Sequence, residues 1–234
     1  MSGAHLRWLG EVLVRVFILA GSPVATPPWR LTPGPADRVI AADYGAHHAL
    51  TWGWPVHLLI GDLDSLPAAD AQVLQAAGVP TIVAPAAKDE TDLELALAHA
   101  LADGATEIIF CAALGGRADH MLANVLLLAR RDLMGVTAVI ADGYQALRLL
   151  RADAAPADGS AALALTGAPG DLLTLLPLAG DAEGVTTAGL LYPLADETLF
   201  FAQARGVSNV FAQPTAHVWL RRGLLLVIHT LMNG

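Results

Sequence analysis

The sequence predicts an α/β protein in which an N-terminal, mostly parallel α/β sheet domain is followed by a smaller all-β domain of the sandwich or jelly-roll type. Up to about residue 141, short β-branched runs alternate with alanine- and leucine-rich stretches, a pattern typical of a parallel sheet covered by helices on both faces. From about residue 142, turns rich in glycine and aspartate separate short apolar runs, which is typical of antiparallel sheets. We therefore predict an α/β catalytic domain over residues 1–142 and a β-sandwich over residues 143–234.

The elements of the first domain follow from hydrophobic periodicity. Strands are predicted over residues 12–20, 38–42, 57–60, 79–84, 106–110 and 136–141, where apolar and β-branched residues lie between turn signals. Helices are predicted over residues 68–77, 91–102 and 118–133. In the last of these, Leu122 and Leu126 recur at the spacing of an apolar helix face.

Composition excludes several classes of protein. Charged residues make up 15% of the 234 residues, below the roughly 25% usual for soluble domains, which indicates that some surface is covered in an oligomer. The net charge of −9, with Lys88 as the sole lysine, argues against a nucleic-acid partner. The single cysteine, Cys111, excludes a disulfide framework and is predicted to be a small buried hydrophobe. Since no apolar run approaches the roughly 20 residues of a membrane span, we expect a cytoplasmic protein without a membrane partner.

Acidic residues follow successive predicted strands. They are Asp43 after the second strand, Asp62 and Asp64 after the third, Asp89 and Asp92 after the fourth, and Asp119 after the fifth. Because ligands bind at the carboxyl ends of parallel strands, these side chains are expected to converge on one crevice. Their mutual repulsion would raise their pKa values, and Mg²⁺, which prefers oxygen ligands, would relieve it. With Gly115, Gly116 and Arg117 beside them, the acids indicate a site for a metal–nucleotide complex.

Each of these motifs also has a purely structural interpretation. Residues 89–92 can cap a helix, and residues 61–65 can form a turn held by aspartate side chains. His120 can be an ordinary surface group. Independent caps and turns, however, need not gather their acids at successive strand ends.

The motifs, in this order, resemble those of the thiamine pyrophosphokinase family. The resemblance rests on GDLDS at residues 61–65, KDETD at 88–92, GGRADH at 115–120, GLLYPL at 189–194 and SN at 208–209, and it extends from about residue 14 to 229. One departure stands at the first acidic turn, where the family has glycine and Asn or Asp at the positions of Tyr44 and His47. A tyrosine is strained there if its φ must be positive, and it can narrow the nucleotide pocket.

The resemblance implies transfer of a diphosphoryl group from ATP to the hydroxyl of thiamine, giving thiamine diphosphate and AMP. It implies that Asp62, Asp64 and Asp92 hold Mg²⁺ and that Asp119 completes the acidic cluster, with Asp92 or Asp119 accepting the hydroxyl proton. Substrate and nucleotide contacts are assigned to Asp43, Lys88, Asp89, Thr91, Gly115, Gly116, Arg117, His120, Tyr192, Ser208 and Asn209. The family also implies a homodimer with the active site near its interface, where Tyr192 stacks on thiamine.

Three alternatives stay open. A pyrophosphokinase of similar fold can act on a pterin alcohol, and a metal-dependent phosphohydrolase can use water as its nucleophile. A regulatory protein can bind nucleotide or thiamine without turnover. Tyr44 makes this third alternative plausible, whereas the retention of every metal-binding acid argues against it.

Overall fold

The computed structural model describes residues 13–23, 26–29, 31–85, 87–152 and 161–232. Six strands form the parallel part of a large sheet: β1 (Arg15–Leu19), β2 (Arg38–Ala42), β3 (Leu58–Gly61), β4 (Thr81–Val83), β5 (Glu107–Cys111) and β6 (Thr137–Asp142). Their order across the sheet is β6-β5-β1-β2-β3-β4. Strand order therefore reverses beside β1, and this switch point opens a crevice at the carboxyl ends of β1 and β5.

Four helices cover the two faces of this parallel part. They are α1 (Gly45–Thr51), α2 (Ala68–Ala76), α3 (Asp92–Ala102) and α4 (Ala118–Leu127). The core on the α3 side contains Ile18, Ile40, Phe110 and Leu97, whereas α1 and α2 pack on the opposite face. Apart from the edge strand β4, whose three residues are exposed, these strands are largely buried on both faces. This burial explains why they read as continuous apolar runs in the sequence.

The chain then reverses direction without leaving the sheet. After a turn at residues 143–144, β7 (Gln145–Arg151) pairs antiparallel with β6, and three further strands extend the sheet to ten: β14 (Leu224–Thr230), β9 (Leu172–Pro177) and β12 (Asn209–Val210). A second sheet has the order β11 (Glu197–Leu199), β10 (Ala182–Ala188), β13 (Thr215–Leu220) and β8 (Ala161–Thr166). The two sheets enclose a separate core that includes Leu173, Val185, Phe211 and Val218.

This architecture confirms the predicted fold class. Cys111 is fully buried, as expected, and burial raises the pKa of its thiol. The predicted domain limit at residue 142 coincides with the end of β6. The strand predicted over residues 12–20 begins at a residue outside the described part of the chain. None of the helices described is long and apolar enough to cross a membrane.

Two helices differ from the prediction. Helix α1 was not predicted, since its residues GAHHALT carry no clear apolar period. Helix α4 ends at Leu127, not at residue 133, and a separate 3-10 turn occupies residues 131–133. The expected apolar face of α4 is wrong, because Leu122 and Leu126 are 58% and 54% exposed.

Candidate active site

A cleft of about 890 Å³ lies at the carboxyl ends of the central parallel strands. Most of the residues selected from the sequence line it: Asp43, Asp62, Asp64, Lys88, Thr91, Asp92, Gly115, Gly116, Arg117 and His120. Ser22, Tyr44, Ser65, Glu90 and Asn124 line it as well. The prediction that acids from several strand ends face one crevice agrees with this arrangement.

Three carboxylates form the centre of the cleft. Asp43, Asp62 and Asp92 each place a carboxylate oxygen within 4.8 Å of the other two. Asp43 follows β2, Asp62 follows β3, and Asp92 is the first residue of α3. The family resemblance implies Asp62, Asp64 and Asp92 as metal ligands, whereas the group of three within this distance contains Asp43 and not Asp64.

Local backbone structure positions two of these acids. Asp43 adopts a left-handed conformation with φ of 48°, and its N–H donates to the carbonyl of Ile60 on the neighbouring strand at 2.9 Å. Asp92 follows Thr91, which caps helix α3 in a reciprocal capping box with Glu94. The capping box satisfies the first N–H groups of α3 and fixes the point where the helix begins.

The environment of Asp43 fits a cation. One oxygen, Oδ2, accepts a hydrogen bond from the Ser65 hydroxyl, whereas the buried Oδ1 has no hydrogen-bond partner among the described residues. Burial raises the pKa of Asp43, and the nearby carboxylates of Asp92, Asp62 and Asp64 raise it further. A hard divalent cation would satisfy the orphaned oxygen and neutralise the crowded negative charge.

Positive charge lies next to this cluster. Lys88 Nζ is 2.9 Å from Asp92 Oδ1, and the contact with Asp92 raises the pKa of the lysine. Asp64 also lines the cleft but is exposed, and its backbone N–H donates to Asp62 Oδ1 at 3.2 Å. Asp64 therefore shapes the turn that carries Asp62, while its own carboxylate stays outside the group of three.

The turn before α4 requires glycine. Gly115 and Gly116 have φ of 85° and 69°, a conformation that disfavours residues with a Cβ. A Cβ on Gly116 would also lie 2.6 Å from Cδ of Pro23. The two glycines thus let the backbone approach the cleft closely at the start of a helix, where N–H groups favour anionic oxygens.

Arg117 and Asp119 form an exposed pair beside this turn. Arg117 NH2 lies 2.7 Å from Asp119 Oδ2, and this hydrogen bond is the main reason why the pKa of Asp119 falls to about 2. Only Arg117 of the two lines the cleft. Asp119 is not one of the three clustered carboxylates, and Arg117 engages its side chain outside the cleft.

Sequence reasoning missed a carboxylate that holds the loop leading into this turn. Asp142, at the end of β6, accepts hydrogen bonds from three consecutive backbone N–H groups, those of Ala112, Ala113 and Leu114, at 2.5, 2.7 and 2.7 Å. Burial raises the pKa of Asp142 to about 6, although the three donors oppose the shift. The Asp-Gly pair at residues 142–143 looks like an ordinary turn in the sequence, so the position of Asp142 beside the loop is visible only in the fold.

The carbonyl groups of the same loop are also satisfied. The amide of Asn124 donates to the Ala113 carbonyl at 2.9 Å, and the hydroxyl of Ser22 donates to the Leu114 carbonyl. The N–H of Ser22 donates to the Ala112 carbonyl at 3.0 Å. Backbone groups that are paired in this way hold the glycine turn in one conformation.

The two departures from the family pattern fit without strain. Tyr44 has a helical φ of −58°, so the predicted strain is absent and Asp43 adopts the positive φ instead. The Tyr44 ring lies against His47 and His48, with ring centroids 4.9 and 5.3 Å away. As expected, Tyr44 borders the cleft.

Five of the residues selected from the sequence lie outside this cleft: Asp119, described above, and Asp89, Tyr192, Ser208 and Asn209. The side chain of Asn209 is buried, accepts from the N–H of Tyr192 at 3.1 Å and donates to its carbonyl at 2.7 Å. These bonds fix the backbone of Tyr192, whose side chain is 64% exposed. The structure therefore presents an aromatic ring on the β domain that does not reach the acidic cleft of its own chain.

Comparison with known protein families matches both halves of the chain. The model of the thiamin pyrophosphokinase catalytic domain matches residues 34–139, and the model of the thiamin pyrophosphokinase vitamin B1 binding domain matches residues 164–225. The chain belongs to the thiamin pyrophosphokinase family. The family and the class of enzyme predicted from the sequence are thereby confirmed.

Individual members of the thiamin pyrophosphokinase family agree with this assignment. A thiamine pyrophosphokinase from Bacillus subtilis is 24% identical over 180 residues, which cover 73% of this chain and 76% of that protein. A crystal structure of thiamine pyrophosphokinase from the same species has a TM-score of 0.81 and 24% identity, covering 94% of this chain and all of that one. The Geobacillus thermodenitrificans structure has a TM-score of 0.78 and 26% identity, covering 93% and 97% of the two chains. The structure of yeast thiamin pyrophosphokinase is 14% identical, with a TM-score of 0.69. The match covers 95% of this chain and 87% of the yeast chain, and it shows a shared fold.

Proposed function

We propose that this protein transfers a diphosphoryl group from ATP to the hydroxyl of thiamine, in a Mg²⁺-dependent reaction that yields thiamine diphosphate and AMP. The observation that carries the proposal is the group of three carboxylates, Asp43, Asp62 and Asp92, beside Lys88 in a cleft that ends at a glycine turn. Acids that crowd together next to phosphate-binding features suit a metal–triphosphate complex. The family assignment supports thiamine as the acceptor.

The residues of the cleft divide into two roles in this proposal. Asp43, Asp62 and Asp92 would hold Mg²⁺, which supplies charge neutralisation for the triphosphate when bound. Lys88, Arg117 and the backbone of residues 115–116 would bind phosphate oxygens and align the triphosphate with the acceptor. This assignment replaces Asp64 with Asp43 in the set of metal ligands, since Asp43 and Asp92, unlike Asp64, each have a buried oxygen without a hydrogen-bond partner among the described residues.

The bonds that change follow from the proposed products. The thiamine hydroxyl oxygen bonds to the β-phosphorus of ATP, and the bond from that phosphorus to the oxygen bridging the α- and β-phosphates breaks, which releases AMP. The hydroxyl proton passes to a carboxylate. Of the two predicted acceptors, Asp92 lines the cleft, whereas Asp119 is engaged by Arg117 outside it.

Thiamine recognition in this proposal involves a second copy of the chain. The exposed ring of Tyr192, next to Ser208 and Asn209, offers a flat surface for a cationic heterocycle. Because these residues lie outside the cleft of their own chain, we propose a homodimer in which they face the cleft of the partner subunit. A cytoplasmic location is part of the proposal, since the chain has a single cysteine.

The test is a product analysis of the purified full chain with ATP and Mg²⁺, in the presence and absence of thiamine. We expect AMP and thiamine diphosphate in equal amounts, no AMP without thiamine, and no turnover after EDTA treatment until Mg²⁺ is restored. Release of ADP, or of AMP without thiamine, would contradict the proposal. A requirement for a pterin alcohol would select the alternative acceptor, and binding of thiamine without turnover would indicate a regulatory protein.

A further inference from the structure

A second cavity lies between the connection from β1 to β2 and the β-sandwich. Its volume is about 330 Å³, and it shares no lining residue with the acidic cleft. The side chains that give it chemical character are those of Trp29, Tyr144, Gln145, Arg148, Asp171 and His229. A concave site between two structural units, with a few converging polar groups, has the form of a small-molecule pocket.

Arg148 brings to this cavity a positive charge with which no described residue forms an ion pair. It lies in the middle of β7, opposite the buried Val227 of β14. Within the described part of the chain, its guanidinium forms neither a hydrogen bond nor an ion pair. Burial lowers the pKa of Arg148, and Glu107 opposes the shift only through longer-range attraction. A partly desolvated guanidinium without an acidic partner favours an anionic ligand.

The carboxylate of Asp171, which lines the same cavity, already has hydrogen-bond partners. Asp171 is 2% exposed, and its carboxylate accepts from the N–H groups of Ala168 and Met232 at 2.9 and 3.1 Å. It also lies 3.1 Å from Nε2 of His229, and the His229 ring stacks on Phe211 at 4.7 Å. Because these groups satisfy Asp171 locally, the charge of Arg148 remains available to a ligand.

Two aromatic rings form the wall of the cavity nearest the solvent. The rings of Trp29 and Tyr144 lie 5.7 Å apart at 41°. Backbone hydrogen bonds fix both residues: the Trp29 N–H donates to the Gly143 carbonyl at 2.8 Å, and the Leu231 N–H donates to the Tyr144 carbonyl at 2.9 Å. These bonds fix the backbone that carries the two rings, and aromatic rings lining a cavity are suited to pack against a planar ligand.

We propose that this cavity binds a small planar aromatic anion, whose carboxylate or phosphate pairs with Arg148 and whose ring packs against Trp29 and Tyr144. The volume suits one ring or two fused rings and lies near the lower limit of ordinary ligand pockets. Free aromatic carboxylates and nucleoside monophosphates share this chemistry. The site is independent of the proposed diphosphoryl transfer, since neither cavity uses a residue of the other.

The test is isothermal titration of the full chain with 2-naphthoate, 2-naphthyl phosphate, AMP, neutral 2-naphthamide and inorganic phosphate. We expect at least one of the first three to bind, and the amide and inorganic phosphate to bind at least about tenfold more weakly, because each lacks one of the two interactions. Tighter binding of AMP identifies the ligand class as a nucleotide, and tighter binding of the naphthyl probes identifies it as a simple aromatic acid. AMP binding at this site must survive Asp62→Asn, which alters only the acidic cleft.

Variants assign the binding to the cavity. Arg148→Met should weaken binding of the probe at least about tenfold, because the charged contact is lost. Trp29→Leu should also weaken binding, because ring packing is lost. Arg38→Met, at an exposed arginine on β2 outside both cavities, is the matched control and should bind normally. The proposal is overturned if the wild-type chain binds none of the three anions, if the neutral amide binds equally well, or if Trp29→Leu and a folded Arg148→Met both bind as wild type.

Discussion

At the scale of single residues, the candidate active site depends on Asp43. Its backbone is left-handed, and one of its carboxylate oxygens is buried without a donor among the described residues. Burial raises its pKa, and three other acids raise it further. Each of these features costs stability. The cost is understandable if the residue serves ligand binding, because strained and crowded groups persist mainly at functional sites.

Replacing Asp43 tests which acids hold the metal. Asp43→Asn should lower kcat/KM for ATP in the presence of Mg²⁺ by about 100-fold or more, the upper range for disturbed metal sites, whereas Asp64→Asn should have a smaller effect. The thermal midpoint of Asp43→Asn without Mg²⁺ should not fall, because a buried negative charge is removed. Steady-state kinetics and thermal denaturation measure the two effects.

Asp103→Asn is the matched control for this comparison. Asp103 lies at the other end of α3 from Asp92, and its side chain is 54% exposed. Wild-type kinetics are expected for it. If Asp64→Asn lost more activity than Asp43→Asn, the set of ligands predicted from the sequence would be correct and the set inferred from the geometry would be wrong.

At the scale of elements, the start of α3 links stability to the site. Thr91 lines the cleft and caps the helix, with its hydroxyl accepting from the Glu94 N–H at 3.2 Å while Glu94 accepts from the Thr91 N–H at 2.9 Å. Asp92 and Lys88 lie on either side of this cap. The capping box therefore determines where one of the three central carboxylates lies.

Thr91→Ala should lower the free energy of unfolding by about 1 kcal/mol, the usual effect of losing a cap, and should reduce kcat/KM for ATP because the helix start becomes less fixed. Thr91→Ser retains the hydroxyl and should restore both properties. Urea denaturation and kinetics give the two measurements. If the Thr91→Ala variant lost stability as expected but kept full activity, the cap would not be needed to position the active site.

The elements also show where sequence reasoning succeeds and where it ends. Strands buried on both faces and turns with glycine were predicted well, because their signals are local. For α4, the leucine spacing gave a helix but the wrong buried face: Asn124 lies against the loop after β5, and its amide satisfies a carbonyl there. The hydrogen bonds from that loop to Asp142 join residues about 30 positions apart, and no local pattern contains such a contact.

At the scale of the whole molecule, exposed apolar side chains agree with the expectation of an oligomer. Those on the described surface include Leu122, Leu126, Leu191, Tyr192, Phe200, Phe201 and Trp219. Where such groups form a contiguous patch, the patch is typical of a protein interface or ligand site. Tyr192 is the member of this set for which a role in the partner's cleft is proposed.

Mixed dimers test that role. Asp62→Asn and Tyr192→Ala should each be impaired alone, but the mixed dimer isolated after their co-expression should have about half of the wild-type activity, because one of its two sites is intact. Activity is measured after tandem affinity purification, and the mass in solution by light scattering. The matched control is co-expression of Asp62→Asn with Asp43→Asn, which share one cleft and should not complement. A monomer, or the absence of complementation, would contradict the shared site.

The continuous sheet limits how the molecule can move. Strand β6 ends the parallel part, and β7 pairs with it over residues 140–142 and 145–147 and with β14 over its whole length. A hinge between the two halves would have to break the β6–β7 ladder, which disfavours opening and closing like the lobes of a clamp. Any enclosure of the reactants is therefore expected to come from surface loops or from a second subunit, and not from a movement of one half of the chain against the other.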